Sequence, residues 1–149
     1  MDISAMSIGA GLAVGLAGAG VAMGEGRLAG TSIEMMGKSP RMANSLMVYT
    51  ILGVALVESA VIYGLVVAFQ IMGTVGASDV NVIGAGLAIG LAGFGAGYGE
   101  GYIVSAALIA MNRNPEMKNQ ILQYMVLFIA LAETSAIYGL VIAFKLLNG

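Results

Sequence analysis

The chain has 149 residues, of which 59% are hydrophobic and only 9% charged, too little polar surface to clothe a water-soluble globule. Six Lys and Arg against eight Asp and Glu give a net charge of −2, and no basic patch with interleaved aromatics appears, which argues against a nucleic-acid partner. Cysteine and histidine are both absent, removing disulfides, thiol chemistry, zinc-type sites and histidine acid–base catalysis together.

Spanning a bilayer core takes about 20 mostly apolar helical residues, and four longer stretches are available. The first runs from about Ile3 to Met36. It follows a start, Met1-Asp2-Ile3-Ser4, with an acid where a secretory signal carries Lys or Arg, and it is too long for a signal core, so it is expected to be retained. It is rich in glycines spaced four apart, such as Gly11 and Gly15 or Gly20 and Gly24, a spacing that lets membrane helices approach closely. Repeated on several faces, it predicts a helix crowded on both sides by like helices, as in the inner wall of a ring. A polar turn, Lys38-Ser39-Pro40-Arg41, ends it, because proline after a polar residue closes one helix and can open the next.

The second stretch, about Met42 to Met72, is bulkier in Leu, Ile, Val and Phe, as suits a lipid-facing outer wall. The third, about Val80 to Met111, is again glycine-rich, the turn Arg113-Asn114-Pro115 follows, and the fourth runs from about Met117 to Leu147. The second half repeats the first at a constant offset of 75 residues: Gly24-Glu25-Gly26 returns as Gly99-Glu100-Gly101, and Ile62-Tyr63-Gly64 as Ile137-Tyr138-Gly139. The predicted fold is all-α, with one helical hairpin in residues 1–74 and a parallel copy in 75–149. Four of the six basic residues sit in the two turns, which predicts cytoplasmic turns and termini on the opposite side; Lys145 alone argues otherwise.

Inside these spans stand Glu25, Glu58, Glu100 and Glu133. A charged side chain at the bilayer centre costs about 2.5–3.5 kcal/mol on insertion scales, so each is a functional-site candidate by default. Glu25 lies about 14 residues before its turn and Glu58 about 18 after it, some 20–27 Å of helix in each case, so the two can meet near mid-membrane, as can Glu100 and Glu133. Two carboxylates in contact at low dielectric do not both ionise cheaply; one keeps its proton while the other holds a monovalent cation or a second proton. Ser59 and Thr134 directly follow their glutamates, and Tyr63 and Tyr138 stand five residues on, each expected to lock the carboxylate of its own helix. Hydroxyls beside the carboxylates favour Na⁺, a hard cation that collects oxygens, over H⁺. Arg27 and Glu34 interrupt the repeat, where the second half has Tyr102 and Ile109; Arg27 is expected to snorkel or to pair with an acid, and Glu34 to pair with Lys38.

The glycine-rich first helix, the Arg113-Asn114-Pro115 turn and a glutamate followed by hydroxyl and tyrosine resemble the rotor-ring proteolipids of rotary ATPases, known as c in F-type and as c or K in V/A-type enzymes. The resemblance covers essentially the whole chain. It implies a non-catalytic protein that forms a homo-oligomeric membrane ring in a prokaryotic cell membrane, takes ions from the half-channels of a stator subunit, and docks central-stalk subunits through Lys38, Ser39, Pro40, Arg41, Arg113, Asn114 and Pro115. It also implies no cofactor beyond bound Na⁺, or H⁺ as the alternative. Glu58 and Glu133 match its essential carboxylate, Ser59 and Thr134 its coordinating hydroxyl, Tyr63 and Tyr138 its locking tyrosine, and the carbonyls of Leu56 and Leu131 further ligands. Glu25 and Glu100 fall where sodium-type rings usually carry glutamine. Ala60 and Ser135 occupy the position two after the glutamate, which suggests that the first site is the weaker. The competing reading from another class is a small four-helix cation or multidrug antiporter.

Overall fold

A computed structural model describes residues 3–149; Met1 and Asp2, with their acidic start, lie outside the described residues. Helix α1 spans Ile3–Lys38, α2 Ala43–Val57, α3 Ser59–Gly73, α4 Asp79–Arg113 and α5 Lys118–Asn148. α2 and α3 together form one span, so four helical segments are long and apolar enough to cross a membrane. The 36 residues of α1 rise about 54 Å, so its ends project well beyond a hydrocarbon core of about 30 Å.

The two turns are built alike. Ser39 and Asn114 leave the helical region at φ −138° and −132°, as residues before proline do, and Pro40 and Pro115 open single 3₁₀ turns closed by Met42 N–H to Ser39 at 2.9 Å and Met117 N–H to Asn114 at 3.0 Å. The two turns lie side by side at one end of the bundle, where Lys38, Pro40 and Arg41 share a shallow cavity with Asn112 and Pro115. At the other end the chain turns through Gly76, whose φ of +91° favours glycine, and Ser78 caps α4 by accepting from the Asn81 N–H.

Packing follows the repeat residue by residue. Gly64 of α3 sits on Ala13 and Ala17 of α1, and Gly139 of α5 sits on Ala88 and Ala92 of α4, the same contact 75 residues later. Between the hairpins, α1 and α4 lie backbone against backbone: a methyl group added to Gly24 would collide with the Gly97 carbonyl, and one added to Gly101 with Gly24 itself. The bulky outer helices cover one side of this seam, and Leu28, Leu46, Leu108 and Met125 fill the core between the layers toward the turn end.

The seam is also one-sided. Gly86, Gly90 and Gly101 of α4 pack against α1, yet their counterparts Gly11, Gly15 and Gly26 face open space; Gly20 and Gly24 pack against α4, whereas Gly95 and Gly99 are open. The open edge of α1 therefore repeats the occupied edge of α4, and the open edge of α4 repeats the occupied edge of α1.

The second span, expected to be one helix, is interrupted at Glu58. This residue keeps helical angles, φ −63° and ψ −21°, and its N–H still bonds the Val54 carbonyl at 3.1 Å, so the chain direction is preserved while the ladder loosens at the carboxylate. α5 passes Glu133 without a break.

Candidate ion site

Each hairpin holds its two glutamates within electrostatic reach of each other, Glu25 with Glu58 and Glu100 with Glu133. The two pairs differ in their surroundings. Glu100 on α4 is fully buried and neither of its carboxyl oxygens has a hydrogen-bond partner. Glu133 on α5, half-buried, accepts a hydrogen bond at 2.5 Å from the Tyr63 hydroxyl of the other hairpin. The Ser59 hydroxyl, one turn before Tyr63, is buried without a partner and lies close to the Tyr63 hydroxyl. An unpartnered buried hydroxyl beside unpartnered carboxyl oxygens is costly unless something binds there. α3, α4 and α5 thus converge on one cluster that can surround a small cation with oxygens: Glu100, Glu133, Tyr63 and Ser59.

The expectation that each tyrosine locks the glutamate five residues before it does not hold for Tyr63. Five residues turn a helix by about 500°, so Tyr63 projects about 140° away from Glu58 and cannot face the same partner. Residues 56, 59, 60 and 63 instead share a face, at the spacing i, i+3, i+4, i+7. That face of the first hairpin is turned inward: Ala60 is fully buried, and Leu56, Ser59 and Tyr63 are half-buried. Its counterpart in the second hairpin is turned outward, with Leu131, Ser135 and Tyr138 exposed and Thr134 half-buried. There Thr134 and Ser135 donate to the carbonyls of Leu131 and Ala132 on their own helix, at 2.7 and 3.0 Å.

The difference at the second position after the glutamate therefore belongs to the opposite pair. Ala60 lies in the cluster with Ala96 and Ala136, each within one turn of Glu100 or Glu133, while Ser135 lies far from that pair on the open face. Glu58 is exposed and Glu25 half-buried, open on the side where α1 has no neighbour. The signal for this crossed arrangement was in the sequence, in the four-residue spacing of each hydroxyl and its tyrosine; adjacency to the glutamate concealed it.

The two departures from the repeat also settle. Lys38 pairs with Glu34 at 2.5 Å, as expected. Arg27 neither snorkels to the turn nor meets an acid: its guanidinium carbon lies 3.5 Å above the centre of the Tyr102 ring, the very residue that replaces it in the second half.

Comparison with known proteins agrees with this architecture. The family model of the ATP synthase C-subunit matches twice, over residues 8–71 and 83–146, with the two matches again offset by 75 residues. The ATP synthase c-subunit of Chloroflexus aurantiacus is 50% identical over 64 residues, covering 43% of this chain and 84% of that protein. That of Clostridium beijerinckii is 46% identical over 70 residues, 47% of this chain and 97% of its own. The K-subunit of the A-type ATP synthase of Methanocaldococcus jannaschii is 38% identical over 146 residues, 96% of this chain and 61% of its own. These matches set aside the antiporter reading, and the chain belongs to the ATP synthase C-subunit family, as a tandem-hairpin, non-catalytic, ion-translocating member of the rotor ring.

Proposed function

We propose that this rotor protein carries Na⁺ on two sites per chain, one closed within the chain and one closed between neighbouring copies. The observation that carries the reading is the Tyr63–Glu133 hydrogen bond, which joins the hairpins at a buried pair of carboxyls. The open edges of α1 and α4 supply the rest. Because each repeats the occupied edge of the other, a second copy docks by the same glycine seam that joins the hairpins, head to tail, and such an interface closes into a ring when its rotation divides a full turn.

In that ring the exposed face of α5 meets the neighbour's Glu25 and Glu58, so Thr134, Ser135 and Tyr138 complete the neighbour's site as Ser59 and Tyr63 complete the one at Glu100 and Glu133. A carboxylate, a second carboxyl, a hydroxyl and helix carbonyls such as those of Leu56 and Leu131 make the oxygen-rich cage a hard cation takes up. A proton needs only one carboxyl in an apolar pocket, and the hydroxyls favour Na⁺ on that ground. The stator loads and unloads the carboxylates through its half-channels, and central-stalk subunits grip the paired turns at Lys38–Arg41 and Arg113–Pro115, on the cytoplasmic side of a prokaryotic cell membrane. Two ions per chain raise the number of ions moved per ATP, which favours synthesis at a low ion-motive force.

Carbodiimide labelling of the purified ring tests the coupling ion. Modification of Glu58 and Glu133 that millimolar Na⁺ suppresses at fixed pH is expected. Protection by acid alone would assign the rotor to protons, and labelling indifferent to both would overturn the carboxylate mechanism.

A further inference from the structure

Arg27 is a permanent charge in a span, and among the described residues it has no carboxylate within ion-pair distance. It stands at the polar end of a stripe on the side of α1 and α4 turned away from the outer helices. Toward the inter-hairpin end this side is apolar, with Leu87 and Leu91 exposed on α4 and Met23 exposed on α1. Toward the turns it becomes polar: Tyr98 stacks edge-on against Tyr102 with centroids 5.0 Å apart, donates to its hydroxyl at 3.1 Å, and Arg27 lies over Tyr102. Leucines, then tyrosines, then an arginine is the order of side chains that meets a lipid leaflet from chain to headgroup. The level agrees. With α1 about 24 Å longer than a hydrocarbon core and centred on it, Arg27, 11 residues before Lys38, falls within about 5 Å of the core boundary on the turn side.

We propose that Arg27, with the hydroxyls of Tyr98 and Tyr102, binds the phosphate of a phospholipid whose acyl chains lie along Leu87 and Leu91 inside the ring. The inference rests on the ring assembly above, which turns this side of every chain toward the lumen and gives one such site per chain. The guanidinium, held flat on the Tyr102 ring, keeps its N–H edges free for phosphate oxygens. Anionic phospholipids, bearing no ammonium to offset their phosphate, are preferred.

The test is phospholipid retained by the detergent-purified ring, measured by native mass spectrometry, for the natural chain, Arg27→Gln and Arg27→Lys. The natural ring and R27K are expected to keep about one phospholipid per chain, and R27Q at least fivefold less at unchanged copy number. Equal retention by R27Q would overturn the site. If R27Q does not assemble, the delipidated natural ring is offered phosphatidylglycerol, phosphatidylcholine or inorganic phosphate; at least fivefold preference for phosphatidylglycerol is expected, and equal uptake of the two lipids, or binding of inorganic phosphate alone, would overturn it. A natural chain that forms no ring would overturn the assembly itself, a result read from the mass of the complex before any lipid is counted.

Discussion

The two glutamate pairs are built from nearly the same residues, and they end in different places. Glu100 and Glu133 are closed within the chain by Tyr63 and a buried Ser59, while Glu25 and Glu58 stand at an open edge and Tyr138 and Ser135 point outward from the opposite edge. A duplicated sequence thus yields one finished site and two halves of another. Exact duplication in a chain with two ends permits no other outcome when each site lies between hairpins: of two interfaces, one is internal and one waits for a neighbour.

The largest effect that sharpens this comparison is loss of a carboxyl. Glu133→Gln and Glu58→Gln each strip one site from every chain of the ring, and each is expected to lower ion-coupled ATP synthesis by more than about tenfold, measured in reconstituted vesicles. Near-normal synthesis in Glu58→Gln alone would break the equivalence of the pairs.

Next come the seams. Gly24→Val forces a side chain into the Gly97 backbone and should destabilise the folded chain itself, by about 3 kcal/mol or more. Gly26→Val meets open space within the chain and should leave its helicity and thermal unfolding unchanged, yet abolish the ring on a native gel, because its counterpart Gly101 is the residue buried in the internal seam. Ring formation by Gly26→Val would show that neighbours dock by another surface.

The tyrosines give a middling effect. A hydrogen bond to a charged group contributes about 1.5–3 kcal/mol, a factor of about 10 to 100. Tyr63→Phe should weaken Na⁺ protection of Glu133 by that factor and leave Glu58 alone, and Tyr138→Phe should do the reverse. The smallest expected effect is at the second position after the glutamate. Ser135→Ala should weaken the site at Glu58, and Ala60→Ser strengthen the one at Glu133, each by about two- to tenfold, the worth of one neutral hydrogen bond. Effects on the same-helix glutamate would restore the arrangement suggested by adjacency.

Much of this was legible in the residues. Hydropathy and the 75-residue offset carry the four spans and their pairing into parallel hairpins, because lipid imposes helix on any apolar stretch of that length. The glycine spacing carried the close packing of the inner helices as well. What adjacency hid was direction: a residue next to a glutamate lies about 100° around the helix from it, so Ser59 and Tyr63 serve the pair of the other hairpin. The loosening of the helix at Glu58, which α5 does not share at Glu133, has no evident cause in the side chains flanking it. Arg27 was visible only as a flaw in the repeat, since its partner Tyr102 is its own counterpart across the seam and no local pattern joins them.

The crossed assembly is tested most directly by counting bound ²²Na⁺ per chain in two forms of the protein, the intact ring and the monomeric chain of Gly26→Val. Two ions per chain in the ring and one in the monomer, the latter lost on Glu133→Gln but kept on Glu58→Gln, is the predicted result. One ion per chain in the ring, or a monomer that binds two, would contradict it.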